Sequence, residues 1–285
     1  MLRRPGLLRS LRLSRALSTR PQLLITGATG LVGQRVCDQL EAQGIALRRC
    51  DRPPSQDGNY VQCDLADAAA LREACRDCDA VVHLGGVSGP GCVFEPPVDA
   101  GCVAATNVIG TMNESPVNAV DTYAASKIAG EQLCRAYAAE GLVDTVSLRL
   151  GWVYGPGRTT GCDVRGLLQG EPSSLDPAHA RNYIYVDDAA TALISAAVRP
   201  DPFAGMAVNV SGEYVAHQEV EQAVESLGCA VERQHAAAPD PLVGKMDLTR
   251  AAAELDWRPR IKIEEGVSKY AKHLGVFASR RRTPI

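Results

Sequence analysis

Aromatic residues are scarce, 5% of the 285-residue chain, although 46% of the chain is apolar. A core with so few rings must be filled by Ala, Val, Leu and Ile, which suits a parallel sheet buried between helices. No acidic residue precedes Asp38 and no lysine precedes Lys127. The first 20 residues, MLRRPGLLRSLRLSRALSTR, hold six arginines among Leu and Ser. That is the composition of a mitochondrial or plastid transit peptide, or else of a disordered basic tail on a cytoplasmic protein. No apolar run approaches the roughly 20 residues of a membrane span, so no membrane partner is expected. The net charge of −3 offers no footprint for nucleic acid. The ten cysteines are scattered, and Cys75-Arg-Asp-Cys78 has no second pair to complete a metal site. Reduced thiols and no metal are expected.

What is present alternates. Short apolar runs at 22–26, 45–50, 60–63, 80–84, 143–150, 183–186 and 207–210 read as strands. Helical spacing marks 31–43, 68–75, 103–112, 123–140, 187–198, 217–227, 249–255 and 267–274. In the helix at 31–43, Leu31, Val32, Val36 and Leu40 share one face. Strands alternating with helices predict an α/β fold with a doubly wound parallel sheet.

Thr26-Gly27-Ala28-Thr29-Gly30-Leu31-Val32-Gly33 carries glycines at G-x-x-G-x-x-G, after a strand and at the opening of a helix. That context is the Rossmann dinucleotide fingerprint. Gly27 permits the tight turn, Gly30 lets the backbone approach a pyrophosphate, and Gly33 lets the helix pack closely. The amides that open the helix, at Leu31 and Val32, are placed to hold phosphate. Asp51 ends the second strand, 18 residues after Gly33. A carboxylate there accepts the adenine-ribose hydroxyls and repels a 2′-phosphate, which favours NAD. The adjacent Arg52 could instead pair with a phosphate. Asp64 and Leu65 follow the third strand, where they would face the adenine; Asp64 is equally placed to cap a helix.

Tyr123-Ala-Ala-Ser-Lys127 sets Tyr and Lys at i and i+4 on one helix face. A cation beside the phenol favours phenolate, so Tyr123 could act as a general base near neutral pH, with Lys127 also bonding the cofactor ribose.

The segments TGATGLVG, CDLAD, VVHLGGVSGP, NVIGT, YAASKIAGEQL, LRLGWVYGPGR and YIYVDDAA occur in this order over residues 22–195. In this the chain resembles the extended short-chain dehydrogenase/reductases, the NAD-dependent sugar-nucleotide epimerases and dehydratases. The resemblance implies a Rossmann domain over 21–150, with 183–210 returning to it. A smaller C-terminal α/β lobe, 151–182 and 211–275, would hold a nucleoside diphosphate sugar, and 276–285 would form a tail. It also allows a homodimer. It assigns Gly27, Gly30, Gly33, Asp51 and Asp64 to the cofactor, and Tyr123 and Lys127 to catalysis. Arg158 falls where family members contact substrate phosphate, or is a solvated loop arginine. Asp187 and Asp188 are expected to cap the following helix. HLGGVS also resembles uronate dehydrogenases, so a uronate or aldose dehydrogenase is the second enzyme reading.

One departure stands out against that family. There, a strand and a Ser or Thr that bonds the reacting hydroxyl separate NVIGTMN from the Tyr. Here Asn113 is followed at once by ESPVNAVDT and Tyr123. The nine intervening residues span at most about 30 Å at roughly 3.3 Å each, enough to cross a strand height of about 17–20 Å when largely extended. Residues 116–120 are expected to run as an irregular strand between 80–84 and 143–150. Impaired turnover, or a role as a non-catalytic dinucleotide-binding protein, follows as the alternative.

Overall fold

The computed structural model describes residues 22–86, 122–158, 161–173, 175–234 and 244–276. The expected leader, the helix at 103–112 and the irregular strand at 116–120 lie outside the described residues.

Strand β1 (Gln22–Thr26) is the centre of the first sheet. It pairs in parallel with β2 (Ala46–Asp51) on one side and β4 (Ala80–His83) on the other, and β3 (Tyr60–Gln62) adds to β2. The order is therefore β3-β2-β1-β4. Side chains alternate between sheet faces. Leu23 and Ile25 pack against Val36 and Leu40 of α1 (Leu31–Ala42) and Ile194 of α5 (Val186–Ala197). Leu24 packs on the other face with Ala74 of α2 (Ala68–Ala74). Helices on both faces make the sheet doubly wound. On α1 the buried residues are Gly33, Val36, Cys37 and Leu40. Leu31 and Val32 are half-buried and turn toward the core of the C-terminal half.

Helix α3 (Thr122–Ala139) precedes β5 (Val146–Leu150), which pairs in parallel with β8 (Met206–Val210). A third sheet joins β6 (Trp152–Tyr154) in parallel to β7 (Ala180–Tyr185), and β7 antiparallel to β9 (Tyr214–Ala216). Around it lie α4 (Asp163–Gln169), α6 (His217–Ser226), α7 (Thr249–Leu255) and α8 (Ile263–His273). Strand β7 thus belongs with β6 and β9, and the chain rejoins the first half at α5. Three elements escaped sequence reading. β6 and β9 are three residues each. α4 carries an interior glycine, Gly166, where a Cβ would lie 2.8 Å from Glu171 Oε2.

Among the described residues β4 pairs only with β1, and β5 only with β8. Among the described residues the sheet is thus split between β4 and β5, neither paired directly to the other, and the residues expected to run between them lie outside the described ones. Helix α5 spans the interval, packing on α1, β4, β5, β6 and β7. Its Ala189, Ala190 and Ala192 are fully buried, and side chains this small let a helix lie close to strands on both sides. Asp187 and Asp188 support this helix in a different way from the expected capping. They stand inside its first turn, behind the N-cap Tyr185. Asp187 pairs with Arg35 of α1. Asp188 Oδ2 accepts the amides of Arg260 and Ile261 at 2.9 and 2.8 Å.

Candidate functional site

The fingerprint turn leaves the carboxyl end of β1, the edge where ligands bind in doubly wound sheets. Gly27 has φ +67°, and a Cβ there would sit 2.6 Å from the amide nitrogen of Gly85. A Cβ on Gly33 would sit 2.1 Å from the Gly27 carbonyl oxygen. The start of α1 therefore closes onto the turn with no space for a side chain. Gly30 is the N-cap and supplies no side-chain cap, and the first turn of α1 holds no acidic residue. The opening amides, Leu31 and Val32 among them, remain available to an anion, and no carboxylate opposes it. This arrangement fits a dinucleotide pyrophosphate.

Asp51 lies at the end of β2, beside the turn. Its Oδ2 accepts the amide of Thr29 at 3.0 Å and the hydroxyl of Thr29 at 2.6 Å. Its Oδ1 accepts the Arg52 amide at 2.8 Å. Asp64 is exposed and accepts the amide of Ala66 at 2.9 Å. The cap of α2 is Asp67, which bonds the amides of Ala69 and Ala70, so the helix-cap alternative for Asp64 is corrected. Leu65 covers Gly85, where a Cβ would lie 2.6 Å from Leu65 Cδ1. Leu65, Gly85 and Gly27 thus converge at one sheet edge. Sequence reading missed Thr29, and it missed the bond of 2.5 Å between Thr26 Oγ1 and His83 Nδ1 that ties β1 to β4.

Tyr123 and Lys127 are half-buried on α3. The Lys127 ammonium lies 5.4 Å from the Tyr123 ring centroid. Buried Ser126 donates its hydroxyl to the Tyr123 carbonyl at 2.7 Å. Their helix is seated on β5, whereas the fingerprint belongs to β1.

The Y-G-P-G-R turn after β6 links the two halves. Gly157 has φ +96°, and a Cβ there would approach Leu31 Cδ1 at 3.3 Å. Arg158 follows, donating to the Gly161 carbonyl at 3.2 Å, with its guanidinium 5.3 Å from the Trp152 ring. It is therefore neither a simple solvated arginine nor remote from the fingerprint. The same Trp152 ring carries Arg181 at 4.4 Å and donates its indole N–H to Asp163 at 3.2 Å. Tyr183 also donates to Asp163, at 2.5 Å, and burial pushes its phenol well up. Next to this group, buried His217 bonds Ser173 at 3.0 Å and lies 3.6 Å from Asp163 and 3.8 Å from Glu221. Burial lowers the His217 imidazole against the pull of both carboxylates. Burial acts to raise Glu221, but hydrogen bonds from Arg233 and Ser173 hold it below the usual range. The signals for this cluster were its rare aromatics and paired charges, scattered from residue 152 to residue 233 with no motif to join them.

Cys75 and Cys78 are free thiols. Among the described residues no cluster of His, Cys, Asp and Glu could hold a metal ion.

A family model for the NAD dependent epimerase/dehydratase family matches residues 23–113 and 100–211. A UDP-glucose 4-epimerase of Mycolicibacterium smegmatis is 24% identical, with 86% of this chain and 96% of that protein aligned. The alignment runs over 307 positions, more than the 285 of this chain, so the relative carries positions with no counterpart here. A uronate dehydrogenase of Agrobacterium fabrum is 34% identical, over only 32% of this chain and 34% of that protein. The fold is shared with UDP-glucuronic acid 4-epimerase of Bacillus cereus, solved with UDP-glucuronic acid and NAD, at a TM-score of 0.76 and 17% identity, covering 90% of this chain and 99% of that one. With that family model matched over more than half of this chain's length, and the fingerprint and the Tyr–Lys helix in place, the chain belongs to the NAD-dependent epimerase/dehydratase family.

Proposed function

We propose that this chain binds NAD at the β1–α1 turn and acts as an oxidoreductase or isomerase of the epimerase/dehydratase type on a nucleoside diphosphate sugar. The observation that carries the reading is the glycine turn closed on itself with Asp51 pinned beside it, followed in sequence by the Tyr123–Lys127 pair. Gly27, Gly30, Gly33, Leu31 and Val32 would hold the pyrophosphate, Asp51 the adenine ribose, and Asp64 and Leu65 the adenine. Bound NAD supplies a reversible hydride acceptor. Tyr123 takes the proton of the sugar hydroxyl being oxidised, and the Lys127 charge favours the phenolate that does so. Arg158, at the turn that meets Leu31, would face the substrate phosphates.

The short connection of nine residues between Asn113 and Tyr123 supports a second reading, a dinucleotide-binding protein with little or no turnover. A substrate hydroxyl held less well is a poorer partner for proton transfer. Titration of NADH fluorescence tests cofactor binding. Assays with UDP-glucose, UDP-glucuronate and free uronate then separate epimerase, uronate dehydrogenase and non-catalytic readings. Turnover of free uronate alone would overturn the sugar-nucleotide assignment. The arginine-rich residues 1–20 would direct the protein to an organelle matrix. A reporter carrying them and remaining diffuse in the cytosol would overturn that.

A further inference from the structure

Tyr123, Lys127 and Glu131 follow one another at four-residue steps on α3, so their side chains share one helix face. Lys127 stands between them, one turn from each, with Cβ separations of about 5–6 Å on a regular helix. Both neighbours attract an ammonium: the Tyr123 ring through its π face, and Glu131 through its charge. A buried carboxylate is the stronger attractor of the two, because the loss of water leaves its charge uncompensated.

Glu131 is only 3% exposed. Its Oε1 lies 3.6 Å from Nη2 of Arg149 on β5. Its Oε2 has no hydrogen-bond partner among the described residues. Arg149 is itself oriented from beyond α3. It reaches Asn209 Oδ1 on β8 at 3.5 Å, and burial together with Arg250 lowers its guanidinium to about 10. The C-terminal half of α3 is held separately. Thr145 donates to the Cys134 carbonyl at 3.0 Å, and the bare Gly205 lets Arg135 and Ala138 approach. Arg149 therefore engages the buried carboxylate that stands one helix turn beyond Lys127 and would compete with Tyr123 for it.

We propose that Arg149, by occupying Glu131, is a positioning residue for the Tyr123–Lys127 pair: it keeps the Lys127 ammonium at the Tyr123 ring instead of one turn further along the helix. The proposal rests on the reading of Tyr123 as the proton-transfer group, but its test needs no turnover.

The test uses the full chain labelled with ¹³C at the tyrosine ζ carbons, with Y123F assigning the Tyr123 resonance. In R149M the uncompensated Glu131 draws Lys127 away, and the Tyr123 phenol titrates about one unit higher than in the parent, the size of a modest electrostatic perturbation. NADH affinity falls about 5-fold, as for one lost hydrogen bond. Adding E131Q to R149M removes the competitor and returns both readouts to the parent values. A merely structural pair would lower stability without moving the Tyr123 titration, and the second substitution would not reverse it. If R149M does not fold, R149Q makes the same prediction while keeping polar contact with Glu131 and Asn209. A Tyr123 titration unmoved in the folded variant, or a shift that E131Q leaves in place, overturns the proposal. A parent protein that binds no NADH would sink the cofactor reading, while the Tyr123 titration would still decide this one.

Discussion

The amide and the hydroxyl of Thr29 converge on a single carboxylate oxygen of Asp51, at 3.0 and 2.6 Å. The fingerprint turn thereby holds the end of β2 in register with itself. The acidic side chain is oriented before any ligand arrives, so less ordering remains to be done on binding.

That geometry predicts cofactor choice. NADH should bind more tightly than NADPH, and Asp51→Ala should weaken NADH by about 10- to 100-fold, the scale of hydrogen bonds to a charged group. NADPH affinity should stay level or rise, since Arg52 remains next door. Fluorescence titration of both cofactors checks this; an unchanged preference in the variant would remove Asp51 from the site.

The closeness of α1 to its own turn predicts that Gly33→Ala abolishes NADH binding. A Cβ placed 2.1 Å from the Gly27 oxygen must displace the helix start. Overpacking of this kind costs about 1–3 kcal/mol, visible as a lower Tm. Gly58→Ala is the control, since nothing lies within 4 Å of its Cβ position. Normal NADH binding by a folded Gly33→Ala protein would contradict the cradle.

If the chain turns over a sugar nucleotide, Tyr123→Phe should reduce kcat by about 10²–10⁴-fold, the usual contribution of a positioned acid or base. NADH affinity should barely change. Steady-state kinetics on parent and variant decide it, and equal rates would leave Tyr123 a structural role only.

Buried His217 predicts a pH dependence of stability. Its imidazole is lowered below the ordinary 6.5 by burial, so just below pH 6.5 the unfolded chain binds the proton and the folded one does not. Stability from this group is therefore complete above about pH 6.5 and declines as pH falls toward the folded value. Glu221, held below 4.5, acts in a separate window, its contribution declining only as pH falls below 4.5. Thermal melts should show Tm falling as pH drops below about 6.5. His217→Gln should flatten that slope; a slope left intact would place its origin elsewhere.

The first half of the fold was legible because its signals are local. A strand, a G-x-x-G-x-x-G turn and a helix follow one another without interruption, and each glycine answers a steric demand made within a few residues, as Gly33 does against Gly27. The four-residue step from Tyr123 to Lys127 likewise needs nothing but a helix to bring the two together. Residues that depend on distant partners were not legible. Thr29 looked like filler until β2 brought Asp51 beside it. Asp187 and Asp188 read as helix caps because that is the local use of an aspartate pair, but Arg35 and the amides of Arg260 and Ile261 arrive from other elements. Trp152, Asp163, Arg181 and His217 carry no common motif, and only the β6-β7-β9 sheet and its helices bring them into contact. The sequence by itself determined the cofactor turn and the Tyr–Lys face, because helix and strand periods are short-range geometry. The tertiary structure alone decided that Arg149 meets Glu131 and that α5 joins the two half-sheets, because a contact between elements is set by how their surfaces pack, which no local spacing encodes.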